Sequence, residues 1–258
     1  TSATALLQQT SGAITGVTVD GPFGRKDVKA SHVVVATGGC AANPRLYEEL
    51  HGVPLYAQTA YPTSLGSGLL LGMSAGAAIV GAEKYACLPG LIPDAYRYPC
   101  QMFAYAPLNP AARSPWEIVV NARGERFVRE DHPSVHQIER GIYRQPGHRH
   151  WAIFDADMLE KSDPIIPDWT RQRIANEYQS NPMFHRAMTV SELAFRAGLN
   201  PATLPATVTD YNHSIAVGGA DAYGRVSRPS PLAKPPFYSI PIQGWTLVPF
   251  PALSIHAR

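Results

Sequence analysis

Apolar and polar positions partly alternate with period two over residues 13–20 (Ala-Ile-Thr-Gly-Val-Thr-Val-Asp), and Gly21, Pro22 and Gly24 then supply a turn. The rhythm resumes over residues 28–31, so the opening of the chain predicts β-strands. Val33-Val34-Val35 departs from alternation. A run apolar on both faces predicts a central strand of a sheet covered on both sides. It ends in Ala36-Thr37-Gly38-Gly39, where two glycines permit a tight turn or a close approach of the backbone to a ligand. Asn43-Pro44 opens a short helix with proline at its first position. Gly66-Ser67-Gly68 starts a second, apolar helix. Its Gly72, Ser74, Ala75 and Gly76 allow close packing on a sheet, and its free first-turn amides suit phosphate oxygens.

From about residue 85 to 112 the chain is rich in proline and aromatic residues without a period, which reads as a crossing between domains. Residues 118–121 and 125–128 flank Ala122-Arg123-Gly124 as a β-hairpin. Helices are predicted over 133–145 and 168–179, and a strand over 151–154. Thr189-Val190-Ser191-Glu192 has capping-box spacing, with Gly198 as the stop. Asn200 and Pro201 open a further helix whose Leu204, Val208, Tyr211 and Ile215 form one apolar stripe. The organisation expected is a sheet fragment with glycine-rich turns (1–95), a separate α+β insert (96–234), and a return segment (235–258).

The chain has 258 residues, 45% hydrophobic and 16% charged, so it can bury a core and is not a disordered segment. A net charge of +2 with scattered Lys and Arg offers no basic stripe, which argues against nucleic acid as a partner. Cys40, Cys87 and Cys100 are too few for a disulfide framework and lack zinc spacing, which points to a reducing, cytoplasmic setting. The longest apolar stretch, residues 66–82, carries five glycines and is shorter than the roughly 20 residues of a membrane span. His132 and His136 sit four apart beside Glu130 and Asp131, but Pro133 interrupts them and no zincin pattern is present, so no metal site is expected. Ser67 is not in a nucleophile-elbow pattern, which disfavours hydrolase chemistry.

Val33 to Gly39, with Asn43 four beyond the last glycine, resembles the second half of the FAD-binding domain in the fumarate reductase/succinate dehydrogenase flavoprotein family. That family includes soluble fumarate reductases, urocanate reductases and 3-ketosteroid dehydrogenases. Gly66-Ser67-Gly68 is similar to its glycine-acid-glycine helix start, with serine in the acid's place. Residues 120–127 resemble the hairpin that opens its capping domain. Residues 207–212, Gly224-Arg225 and Pro236-Phe237-Tyr238 resemble the stretch where its chain returns.

The resemblance implies α/β plus α+β architecture: a partial, Rossmann-like FAD-binding domain with an inserted α+β capping domain. It implies FAD as cofactor, with Ala36, Thr37, Gly38, Gly39, Asn43, Gly66 and Gly68 beside it. It also implies a flavin-dependent oxidoreductase acting on a carbon–carbon bond next to an electron-withdrawing group, in a small ketosteroid- or enoate-type substrate. The family's proton-donating arginine falls on Ser134 or Val135, leaving Arg129 and Arg140 on either side, and the tyrosines of the ketosteroid branch point to Tyr238. The family's opening G-x-G-x-x-G motif and closing glycine-rich segments do not occur in these residues. The sequence therefore reads as the middle of a longer flavoprotein, inactive without the N- and C-terminal parts as its partners. A second reading stays open, a non-catalytic remnant or binding module derived from such a protein.

Overall fold

The computed structural model describes residues 1–255. Its contacts gather into two compact units: one of residues 1–86 together with the segment from Thr246 onward, the other Cys87–Trp245.

The first unit opens with an antiparallel meander in the order β1–β2–β3, formed by β1 (Ser2–Gln8), β2 (Ile14–Gly21) and β3 (Gly24–Lys29). Helix α1 (Pro44–His51) starts where Asn43 Oδ1 accepts from the Leu46 amide, and it stops at left-handed Gly52. Helix α2 (Ser67–Ser74) follows Gly66, also left-handed. Leu46 and Tyr47 of α1 and Leu69 of α2 pack with Cys40 and Leu55 into a small core. Strand β4 (Ile79–Val80) pairs with the last strand, Ala252–Leu253, and the Leu253 side chain lies against Gly72, where any Cβ would collide with it.

The second unit is an antiparallel sheet with helices. In chain order it contains β5 (Leu88–Pro93), β6 (Met102–Tyr105), β7 (Ile118–Asn121), α3 (Val135–Tyr143), a 3-10 turn at Pro146–His148 and β8 (Arg149–Asp155). Then come α4 (Ala156–Lys161), α5 (Arg171–Ser180), β9 (His185–Ala187), α6 (Val190–Arg196), α7 (Thr203–Ala216) and β10 (Phe237–Trp245), which leaves Ala252–Leu253 as β11. The sheet runs β6–β5–β10–β8–β7, with β9 also paired to β10. Thr189 caps α6 by accepting from the Glu192 amide, and Asn200 Oδ1 accepts from Ala202 and Thr203 to open α7. Leu204, Val208 and Tyr211 of the predicted stripe are buried in the main core.

A chain of buried charges crosses this unit. Arg126 is shared by Glu130 and Asp221 at 2.6 Å each, and Arg113 holds Glu117 at 2.6 Å. Arg225, one of the largest fully buried side chains, donates to the carbonyls of Glu117, Pro115 and Ser227. Buried charge is tolerated only when paired and hydrogen-bonded, and here both conditions hold.

Three expectations change. Val33-Val34-Val35 joins no ladder; among the described residues every ladder is antiparallel, and a central strand needs neighbours on both sides. The stretch read as a crossing holds β5 and β6, whose alternation is masked by Pro89 and Pro93 and by the hairpin containing Pro99. Because β5 and β10 pair with one another, the chain passes between units at 86/87 and 245/246 rather than at 95/96 and 234/235. The predicted hairpin at 118–128 forms as a tight turn with a single bridge, Val120 to Arg126.

Candidate functional site

In the first unit the two glycine-bearing loops are laced together. The Gly66 amide donates to the Gly39 carbonyl at 2.9 Å, and the Ala42 amide to the Ser64 carbonyl at 2.9 Å. Asn43 Nδ2 donates to the Leu65 carbonyl at 3.1 Å while its Oδ1 caps α1, so one side chain fixes both loops. The Gly68 amide donates to Thr37 Oγ1 at 3.1 Å. Thr37, Gly39, Asn43, Gly66 and Gly68 therefore take part in one hydrogen-bonded arrangement, and Ala36 and Gly38 adjoin it in sequence.

The surface this produces suits an anion. The amides of Thr37, Gly38, Gly39, Ser67 and Leu69 have no acceptor among the described residues. The α2 N-terminus adds the positive end of its dipole. Gly38 has φ +75° with open space around its missing Cβ, so a ligand can approach its main chain. Gly66 has φ +75° as well, and a Cβ there would lie 2.4 Å from Leu46 Cδ2 and 2.9 Å from Cys40 Cβ. Gly38 is thus open toward solvent, whereas Gly66 is demanded by the packing beneath. Cys40 is buried, and burial pushes its thiol up from the usual value.

In the second unit the three candidate proton donors lie apart. Arg140 is exposed on α3. Arg129 is held by Asp131 at 2.7 Å, and Asp131 also accepts from the amides of Val226 and Ser227. Tyr238 stands on β10, stacked on Phe154 with centroids 5.4 Å apart and tilted against Tyr178 at 4.7 Å. It is 8% exposed and belongs to the main core. It also borders a shallow cleft of about 300 Å³ between α4 and α5, with Leu159, Glu160, Arg171 and Gln172. Burial raises the Tyr238 hydroxyl above the usual tyrosine range, and nearby Arg186 only partly opposes this, so it stays protonated at neutral pH. Arg171, whose guanidinium caps the carbonyls of Leu159 and Glu160, carried no sequence signal because only folding brings α5 to α4.

The histidines take structural places. His132 Nδ1 lies 3.0 Å from the Ser134 amide, which donates to it, and His136 pairs with Glu139 at 2.8 Å. Among the described residues no group of three or more His, Cys, Asp or Glu is placed to hold a metal ion. His148 Nδ1 and Cys87 Sγ are 3.1 Å apart in a buried contact. Burial pushes His148 down to about 4 and His150 down to about 3, so both are neutral in the folded protein.

The sequence profile of the FAD binding domain family matches residues 1–249. A probable fumarate reductase, Ifc3, from Shewanella frigidimarina is 25% identical over 238 residues, covering 89% of this chain and 36% of that protein. A 3-oxosteroid 1-dehydrogenase from Mycobacterium tuberculosis is 27% identical over 234 residues, covering 80% of this chain and 40% of that protein. The chain therefore spans well under half the length of these relatives. Among solved structures, a 3-ketosteroid delta1-dehydrogenase from Sterolibacterium denitrificans shares the fold with a TM-score of 0.70 at 21% identity, covering 96% of this chain and 48% of that one. An open flavocytochrome c3 fumarate reductase shares it with a TM-score of 0.64 at 23% identity, covering 98% and 42%. With a family profile matching nearly its whole length, and two laced glycine loops that leave five main-chain amides unclaimed, the chain belongs to the FAD-binding domain family of flavoproteins.

Proposed function

We propose that this chain is the central part of a flavin-dependent oxidoreductase that acts on a carbon–carbon bond next to an electron-withdrawing group, in a ketosteroid- or enoate-type substrate. The single observation behind this reading is the amide-rich cradle formed by residues 36–39 and the start of α2. Its donors suit the phosphate and adenosine side of FAD, which supplies hydride chemistry when bound. The second unit acts as a capping domain in this reading. Tyr238, protonated and bordering the cleft between α4 and α5, is proposed as the proton donor, with Arg129 and Arg140 as the rivals. The three free, buried cysteines are the support for a cytoplasmic setting in this reading. No helix among the described residues is long and apolar enough to cross a membrane.

Reconstitution with FAD tests the cofactor half. The complete gene product should show flavin absorbance after gel filtration. Gly38→Val, which forces a branched side chain into a left-handed position, should retain FAD weakly while the second unit keeps its circular dichroism. Unchanged occupancy in that variant would remove the loop from the site. For catalysis, Tyr238→Phe should lower turnover by a factor of about 10² to 10⁴. Normal turnover in Tyr238→Phe, with loss in an arginine variant, moves the proton donor to Arg129 or Arg140. A gene product that folds but takes up no flavin favours the remnant reading.

A further inference from the structure

Arg149 is paired differently from the other inward-lying arginines of the second unit. Arg113, Arg126 and Arg129 each hold a carboxylate at 2.6 or 2.7 Å, and Arg225 donates to main-chain carbonyls. Arg149, half-buried at the start of β8, has no carboxylate partner among the described residues. Its Nη2 donates to the neutral Tyr98 hydroxyl at 3.3 Å, its Nε is buried without an acceptor, and its Nη1 reaches solvent. The guanidinium lies over the rings of Tyr96 and Tyr98, 4.5 Å and 5.5 Å from their centroids, and these tyrosines are 44% and 41% exposed. Asp94, the acid of the same turn, is already committed. It takes Arg97 at 2.7 and 3.0 Å and accepts from the Gln101 amide, closing the turn that carries both tyrosines. Directly across the ladder from Arg149 stands Gln243, fully buried, whose Nε2 donates to the Gly147 and Gly244 carbonyls while its Oε1 has no donor. A cation set against neutral acceptors, with a buried donor and a buried acceptor both unmet on opposed residues, is costly unless something further completes the set.

We propose that Arg149, Tyr96 and Tyr98 form a binding site for a small aryl carboxylate. The outer edge of a guanidinium presents N–H groups that match the two oxygens of a carboxylate. The partly exposed tyrosine rings, already gathered around the cation, offer flat apolar surface to the ring that carries it. This site is not the cleft beside Tyr238. Arg149 pairs with Gln243, and Phe154 with Tyr238, in an unbroken register. The two β8 residues are an odd number of positions apart, so side-chain alternation puts Arg149 and Tyr238 on opposite faces of the sheet. A ligand on Arg149 therefore does not depend on which residue donates the proton in the flavin reaction.

Arginine modification by phenylglyoxal, read by peptide mass spectrometry on the product of the complete reading frame, tests this on the unaltered protein. Arg149 should form an adduct in the free protein. Sodium benzoate at constant ionic strength should slow that adduct at least about tenfold, with half the effect at about 1 mM or below. Adduct formation at Arg25, exposed on β3, should not change. Benzamide, the neutral isostere, and inorganic phosphate at the same concentration should not protect Arg149. Tyr96→Leu alters an exposed ring and should raise the half-protecting benzoate concentration at least about fivefold. The wild-type comparison stands without the variant if Tyr96→Leu prevents folding. No adduct at Arg149 in the free protein would show the guanidinium closed to ligands and overturn the site, as would an adduct that benzoate leaves unchanged. Equal protection by benzamide or by phosphate overturns the aryl carboxylate, and unchanged benzoate protection in folded Tyr96→Leu overturns the part given to the tyrosine rings.

Discussion

The two units solve the burial of their sequence in opposite ways. Cys87–Trp245 closes on itself: its strands pair in one sheet, its core holds four aromatic rings in contact around Phe154, and its buried arginines are matched by Glu117, Glu130 and Asp221. The unit containing residues 1–86 keeps a small core around Cys40, Leu46, Tyr47, Leu55 and Leu69 while three consecutive valines lie beside an open groove. The difference lies in main-chain pairing: the strands of the first case are joined in one sheet, whereas residues 33–35 of the second join no ladder among the described residues. Backbone outside a ladder exchanges its amides more freely with solvent.

The largest expected effect attacks the closed unit. Arg225→Met removes three donors from buried carbonyls and one cation from the charge chain, and should cost about 3–5 kcal/mol. Urea unfolding followed by tryptophan fluorescence reads this cleanly, since Trp116, Trp151, Trp169 and Trp245 all lie in that unit. Gly66→Ala is the counterpart in the open unit. Left-handed strain plus contact with Leu46 and Cys40 should cost about 2–4 kcal/mol, seen as earlier proteolysis within residues 1–86 with the fluorescence transition unmoved. If the fluorescence transition moves equally, the units do not unfold separately and the comparison fails.

A smaller effect follows from pH. The folded values of His148 and His150 are depressed to about 4 and about 3, below the ordinary histidine value, so the unfolded chain binds more protons between that value and the folded ones. Stability of the closed unit should therefore fall as pH drops from about 6.5 toward 4, by up to about 1.4 kcal/mol per pH unit for each histidine. His150→Leu should roughly halve that slope in melting temperatures measured across the range; an unchanged slope would place the acid sensitivity elsewhere. The smallest effect is the stability of Tyr238→Phe. Its ring contacts with Phe154 and Tyr178 persist, so the loss should stay near or below about 1 kcal/mol in the same urea titration.

Local signals in the sequence translated well. Asn43-Pro44, the Thr189–Glu192 spacing and Gly198 mark helix ends in the structure because capping is decided within a few residues. The glycine loops were legible as well, since positive φ at Gly38 and Gly66 needs glycine whatever surrounds it. What stayed hidden depends on partners distant in sequence. Strand β5 carries Pro89 and Pro93, which erase its period, and its place is fixed by β10, over 140 residues later. Arg126 with Asp221, and Arg225 with the carbonyls of Pro115 and Glu117, join residues that no spacing rule connects. The valine run shows the converse: it is apolar on both faces, yet it joins no ladder among the described residues, so its pattern did not translate into the expected central strand.

The pairing of β4 with β11 has a consequence for synthesis. Residues 252–253 complete a sheet with residues 79–80, and Pro249 lies against Gly39, so the first unit is closed by segments made after the whole of Cys87–Trp245. On the ribosome the glycine loops emerge before the inserted unit but their last supports arrive after it, whereas that unit is a single continuous stretch that can fold as it appears. The glycine loop at residues 36–39 is thus translated before the inserted unit and held in place only after it, and nascent chains stalled before Pro249 should carry a folded insert beside a loop region still open to chaperones and proteases.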